Sequence, residues 1–214
     1  MNRTIVTLTL VAALGSLGTR TALAQAPQPR PTATRAAEPR PIPSPQTRPH
    51  SVRVPVDPAR LQVDDGDTVV IRWSKDDVET VRILGIDTPE TRHPEHGLPY
   101  AQSFGPEARG FAQGAFAAAT QVELMRASTV DPYGRSLGYL FLNGRNYSVL
   151  VVQARLSAET VTFYGDNGLP NEAAEVLAAA KTAGPVPFEP PHAFRARMRD
   201  VSKWMKEKGL EAEQ

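Results

Sequence analysis

"DGDTVVIRWSKDDVETVRILGIDTPE", residues 65–90, decides how this chain folds. Two runs rich in β-branched residues, 68–73 and 79–86, flank the polar "SKDDV", which reads as two strands joined by a hairpin. Arg82 and Asp87 lie five residues apart and would point to opposite faces of a regular strand. For both to serve one site the strand must bend, and Gly85 is the natural place for a bulge or kink. Arg82, Asp87 and Glu90 crowd a buried strand end, where charges are costly unless something compensates them.

Outward from this stretch, residues 104–120 carry Pro106 suited to a first helical turn and apolar Ala108, Phe111, Ala115 and Ala118 at helical spacing. Residues 121–126 and 136–142 return to strand character, and Asn143-Gly144 is a tight-turn signal. "NYSVLVVQARL" (146–156) fits a short buried helix or a further strand. Residues 170–182 read as a helix with Pro170 before it and Asn171 able to cap. Mostly antiparallel strands with helices inserted late point to the α+β class, and a small closed barrel is the economical way to bury many short strands.

The ends differ from this middle. Residues 1–24 have a basic start at Arg3, an apolar run from Ile5 to Leu17 and small residues at Ala22 and Ala24, the layout of a secretory signal peptide. Arg20 interrupts that layout, and cleavage after Ala24 or Ala26 is equally readable. Export to the periplasm or medium is the expectation, with no stable membrane insertion after cleavage. Residues 25–57 are rich in Pro and Arg and poor in large apolar side chains, so they read as a semi-extended linker. A domain is expected over 58–190, and 191–214 reads as a basic amphipathic helix. Phe194, Met198, Val201 and Met205 form one stripe of it, with Arg195, Arg199, Lys203 and Lys206 off the stripe. Packing on the domain is weighed there against a membrane or DNA role.

The chain has no cysteine, so disulfides and thiolate metal sites are excluded, and its net charge of +1 excludes bulk polyanion binding. Any nucleic-acid contact must be local.

Asp64, Asp65 and Asp67 around Gly66 read either as a turn opening a strand or as oxygen donors for a hard cation. Pro89 forces Thr88 out of the helical region, so Asp67, Asp87 and the Thr88 carbonyl could give three oxygens to one cation. Glu90 either caps a turn and pairs with Arg92 or acts as a general base toward water. Arg135 in "DPYGRSLGY" is either a surface ion pair or, with Arg82, a two-guanidinium clamp for phosphate oxygens. Together these types suit phosphoryl chemistry by positioning and charge neutralisation. "HPEH" offers a zinc reading through His93 and His96, with a mobile substrate-side loop as the alternative.

"DGDTV", "RILGIDTPET", "HPEHG…SFGPEA" and "DPYGRSLGYLF" stand in an order and spacing that resemble the thermonuclease family typified by staphylococcal nuclease, over roughly residues 61–165. The resemblance implies a five-stranded OB-fold β-barrel with about three helices, Ca²⁺ dependence, and endonucleolytic hydrolysis of DNA and RNA to 3′-phosphate products. It implies Asp67, Asp87 and Thr88 as calcium ligands, Glu90 as the base, and Arg82 with Arg135 as the phosphate-binding, charge-stabilising pair. Tyr133 falls where the family has a tyrosine near the nucleotide, and Phe163 and Tyr164 correspond to nucleotide-stacking aromatics. The chain departs from the family at "YSVLVVQARL" and around residues 158–160, which bears on base preference. A monomer is expected. The rival from another class is a non-catalytic OB-type module that binds single-stranded nucleic acid.

Overall fold

The computed structural model describes residues 43–210. The expected leader, 1–24, and residues 25–42 of the expected linker lie outside the described residues. The strands and helices run in the order β1 (Ser44–Pro45), β2 (Arg53–Val56), β3 (Leu61–Val63), β4 (Thr68–Arg72), β5 (Val78–Ile83), β6 (Ile86–Asp87) and α1 (Gly105–Ala118). They continue with β7 (Val122–Val130), β8 (Ser136–Leu142), β9 (Arg145–Asn146), α2 (Tyr147–Gln153), β10 (Ala158–Glu159), α3 (Val161–Tyr164), α4 (Pro170–Ala183) and α5 (Pro191–Lys208).

The fold is α+β. One sheet has the order β1-β7-β8-β5-β4-β3, with β2 also on β7 and β9 on β8, while β6 and β10 pair separately. Pairings are antiparallel except β5 with β8, where Arg82 lies opposite Leu137. That parallel pair brings the strand carrying Arg82 beside the strand that follows Arg135.

Two expectations are corrected among the described residues. The sheet does not close into a five-stranded barrel: β3, at one end of the strand order, pairs with β4, while β2 and β1 occupy the edge of β7 at the other. Four α-helices, the single turn α3 among them, stand where about three were expected, and α5 lies within the stretch read as a separate C-terminal helix. Order also begins earlier than expected. Residues 53–56 pair with 122–125 and residues 44–45 with 129–130, so the last part of the expected linker forms strands on the edge of β7. Backbone pairing, polar contacts and burial of Val56 in the main core order this segment, whose alternating Val52, Val54 and Val56 sit among prolines and arginines.

The hairpin of β4 and β5 forms as expected, with Val69, Ile71, Val81 and Ile83 at 1% exposure or less. The bend does too: β5 ends at Ile83, β6 starts at Ile86, and Gly85 between them has φ +80°, a conformation costly for residues with a Cβ. Pro106 sits in the first turn of α1, and residues 147–153 settle as helix, capped by Asn146 through a 3.1 Å bond to the Ser148 N–H. Asn171 does not cap α4; that helix starts at Pro170 and its N-cap, Leu169, has no side-chain bond. The main core joins both faces of the curved sheet to α1, α2 and α4 through Leu124, Leu140, Phe116, Tyr147 and Val176.

A second, polar anchor lies under β1. The buried Glu79 carboxylate receives Nε–H and Nη2–H along one edge of the Arg126 guanidinium, at 2.7 Å each, with Trp73 Nε1 and Ser136 Oγ as further donors. Gln46 donates to Ser136 and Arg126 donates to the Pro49 carbonyl, so the network also ties down the N-terminal strands. Burial alone would raise the Glu79 carboxyl, but the Arg126, Ser136 and Trp73 bonds outweigh it and hold it below its ordinary value of 4.5. Its stabilisation is therefore present above that value and is lost as pH falls through the lower, folded one. Glu79→Gln is expected to cost about 3 kcal/mol near neutral pH by leaving Arg126 buried without its charge partner. In denaturant titrations the gap to wild type is expected to narrow below about pH 4.5; a gap that widens in acid contradicts this account.

Candidate active site

The cleft is built from the two ends of the bent strand and the loops around them. It has a volume of about 620 Å³ and its walls include Asp67, Arg82, Asp87, Glu90 and Arg135. The structure thus brings to one cavity the charged residues that the sequence singled out.

Asp67 stands just before β4 and is 3% exposed. Its Oδ2 accepts from the Thr88 N–H at 2.7 Å and the Thr88 hydroxyl at 3.1 Å, while its Oδ1 is ion-paired with Arg82 Nη1. Gly66 permits this close approach: a Cβ there would stand 2.6–2.9 Å from Thr88 side-chain atoms. Asp87, at the end of β6, accepts 2.8 Å from Arg82 Nη2, and Ser157 Oγ bonds both its N–H and its carbonyl. Arg82 therefore bridges Asp67 and Asp87, and the bend at Gly85 makes this possible.

Glu90 has its backbone held on both sides by Gln102, at 3.2 Å and 2.9 Å. Its carboxylate is ion-paired with Arg195 Nη1. Burial pushes the Glu90 carboxyl above its ordinary value, against the pull of the Arg195 guanidinium. Arg135 is oriented by Asp131, whose two oxygens take its Nε–H at 2.7 Å and its N–H at 2.8 Å. Tyr133, 85% exposed, lies beside the Arg135 guanidinium, 5.7 Å from ring centre to Cζ. Tyr133 and Tyr164 line the cleft; Phe163 is 82% exposed and packs edge-on against Tyr164 at 4.8 Å.

Two arginines, Arg195 and Arg199, escaped the sequence reading as site residues, and Asp65, read there as a turn residue or an oxygen donor, joins them in the cleft. Asp65 lines the cleft with its carboxyl raised by burial, Arg82 opposing, and its Oδ1 accepts the Asp67 N–H at 2.9 Å. Arg199 also lines the cleft. Arg195 reaches from α5 to grip both oxygens of Asp87 at 3.0 Å, as well as Glu90. Burial would lower the Arg195 guanidinium, yet Asp87 and Glu90 hold it above its ordinary value. Helical periodicity had put this arginine on the polar face and offered no sign of its target.

The donor chemistry, carboxylates with hydroxyl and backbone oxygens, suits a hard cation. Among the described residues, however, no three His, Cys, Asp or Glu side chains are drawn together as a ready cage, because guanidinium groups stand between the carboxylates. This bears on His93 and His96 as well: His93 bonds Thr91 and Glu95, and no third ligand joins the two histidines. The loop that carries them is bridged to itself at His93 and Leu98.

An α+β domain with carboxylates and guanidinium groups facing one cleft is the kind of protein that handles oxyanions. Residues 80–184 match the family model described as Staphylococcal nuclease homologue, and this stretch is staphylococcal nuclease-like. It is 33% identical over 107 residues to a thermonuclease of Staphylococcus intermedius, covering 50% of this chain and 60% of that protein. It is 30% identical over 94 residues to the SPbeta prophage-derived endonuclease YokF of Bacillus subtilis (strain 168), covering 44% of this chain and 30% of that protein. The chain thus spans less than two thirds of the length of each of these relatives. The matched residues leave out Asp67 at one end and α5 at the other.

The Gly66–Thr88 contact can be tested by itself. Gly66→Ala is expected to lower stability by about 1–3 kcal/mol in denaturant melts, since Thr88 is held to Asp67 and must shift. A variant as stable as wild type contradicts the close approach.

Proposed function

We propose that this chain is an exported, monomeric, Ca²⁺-dependent endonuclease that hydrolyses phosphodiester bonds of DNA and RNA and leaves 3′-phosphate products. The observation that carries the reading is the gathering of Asp67, Asp87, Glu90, Arg82 and Arg135 on one cleft. The names of the relatives, thermonuclease and endonuclease, support it. Export rests on the sequence pattern of residues 1–24 alone.

Asp67, Asp87 and the Thr88 carbonyl would hold the cation, and their oxygen chemistry fits it. When bound, the cation supplies positive charge to a phosphate oxygen and acidifies a water. Glu90 takes the proton of the attacking water; its carboxyl, raised by burial, is a stronger base than an exposed glutamate. The water oxygen bonds to phosphorus and the P–O5′ bond breaks, so phosphate stays on the 3′ side and the departing O5′ takes a proton from solvent. Arg82 and Arg135 present paired N–H donors to the charge that spreads over the phosphoryl oxygens. Tyr133, Tyr164 and Phe163 offer exposed rings on which sugar or base can pack.

The alternative is a non-catalytic module that binds single-stranded nucleic acid. Buried carboxylates facing the cleft argue against it, because they repel a phosphate backbone unless a cation intervenes.

Plasmid, single-stranded DNA and RNA should be incubated with the full chain in calcium and in chelator. Cleavage is expected with calcium only. Glu90→Gln is expected to lower kcat about 10²–10⁴-fold and Arg135→Ala about 10³-fold or more, each with cooperative unfolding retained. Cleavage indifferent to chelator, or undiminished in both variants, contradicts the proposal.

A further inference from the structure

Arg195 sits outside the family match, yet it grips two of the carboxylates of the cleft. Its Nη1 and Nη2 take the two oxygens of Asp87 at 3.0 Å each, and Nη1 is also paired with Glu90. Both carboxylates belong to the machinery proposed above, and the inference rests on that reading. We infer that α5 is a detachable strap, in which Arg195 serves as an internal cation on Asp87 and Glu90 that a divalent ion must displace before the cleft can work.

The geometry gives three reasons. A hard cation binds carboxylate oxygens at about 2.3–2.6 Å, and a guanidinium already shared between both Asp87 oxygens leaves that carboxylate no unshared oxygen. Two cations on one carboxylate also repel each other strongly in a partly buried site. Second, α5 buries Pro191, Phe194, Met198, Ser202 and Met205 outside the main core. It docks through a satellite cluster of Leu98, Phe194 and Met198, with Val201 beside it, separate from the main core. Such small clusters open more readily than the core they border. Third, the connection permits release and reports on the site. Residues 184–190, "GPVPFEP", form a proline-punctuated spacer after α4, and Gln102, which clamps the Glu90 backbone, donates to the Glu189 carbonyl at 2.7 Å. Docking of α5 and the setting of Glu90 are thus mechanically joined.

The use of Arg195 as a third phosphate ligand fits less well. Its paired donors are committed to carboxylates, so a phosphate would have to compete with Asp87 and Glu90 for them.

Binding is reciprocal: if Arg195 and the divalent ion exclude each other, each weakens the other by the same factor. Calcium should be titrated by calorimetry into the full chain, Arg195→Gln, Arg199→Gln and Met198→Asp, with hydrogen exchange of residues 191–208 followed in wild type. Arg195→Gln is expected to bind calcium about tenfold tighter, within the usual range of such couplings. Met198→Asp, which undocks α5 while keeping Arg195, is expected to tighten binding as well. Arg199→Gln removes a charge from the same wall of the cleft and is expected to shift affinity less than about twofold, a weakly coupled exposed charge. In wild type, calcium is expected to speed exchange along α5; this arm needs no variant. Equal or weaker binding by Arg195→Gln with unchanged exchange overturns the strap and leaves the metal reading standing. Tighter binding by Arg195→Gln alone, with α5 still protected under calcium, reduces Arg195 to a local charge and also overturns it. Failure of every protein to bind calcium removes the metal reading and the strap together.

Discussion

Three carboxylates, Asp67, Asp87 and Glu90, share one small cleft, and none is well hydrated. Concentrated negative charge in a partly dry site must be matched by positive charge or be neutralised by protonation. The rest of the site is arranged around that requirement. Arg82 bridges the two aspartates, Arg195 bridges Asp87 and Glu90, and Thr88 donates to Asp67 from both its N–H and its hydroxyl. A cleft charged in this way can exchange one cation for another at little electrostatic cost. That exchange is what links its structure to the chemistry proposed for it.

The fold serves the requirement through a few backbone features. The left-handed turn at Gly85 swings Asp87 back toward Arg82 on a chain that would otherwise point them apart. Gly66 lets Thr88 close on Asp67, and the parallel pairing of β5 with β8 delivers Arg135 to the same mouth. Beneath β1 the Glu79–Arg126 pair does for the sheet edge what the arginines do for the cleft. There a buried charge is used to fix position and not to turn over.

The sequence made the hairpin legible because β-branched runs and a polar turn are local signals. It also made the bend legible, since two charges meant for one site could not share a straight strand. Asp67, Arg82, Asp87, Glu90 and Arg135 were all readable as a set and all face the cleft. What stayed hidden depends on contacts distant in the chain. Arg195 lies 108 residues from Asp87, and its place off the apolar stripe suggested solvent as its neighbour. Asp65 resembled an ordinary turn residue. Within residues 44–56 the alternating Val52, Val54 and Val56 are a strand signal that the surrounding prolines and arginines masked; Val56 joins the main core, and pairing with β7 and the Glu79 network order the rest. The barrel expected from resemblance is not closed among the described residues: β1 and β2 take the edge of β7, a long-range pairing that no local pattern foretold.

The central claim is that these side chains converge on a single phosphate with a cation among them. A crystal structure of the full chain grown with calcium and a short phosphorothioate oligonucleotide addresses it most directly. The expected density places calcium against Asp67 and Asp87, with one scissile phosphate between it and the guanidinium groups of Arg82 and Arg135. Calcium bound elsewhere, or a backbone path that leaves Arg82 and Arg135 on different phosphates or on none, would contradict it.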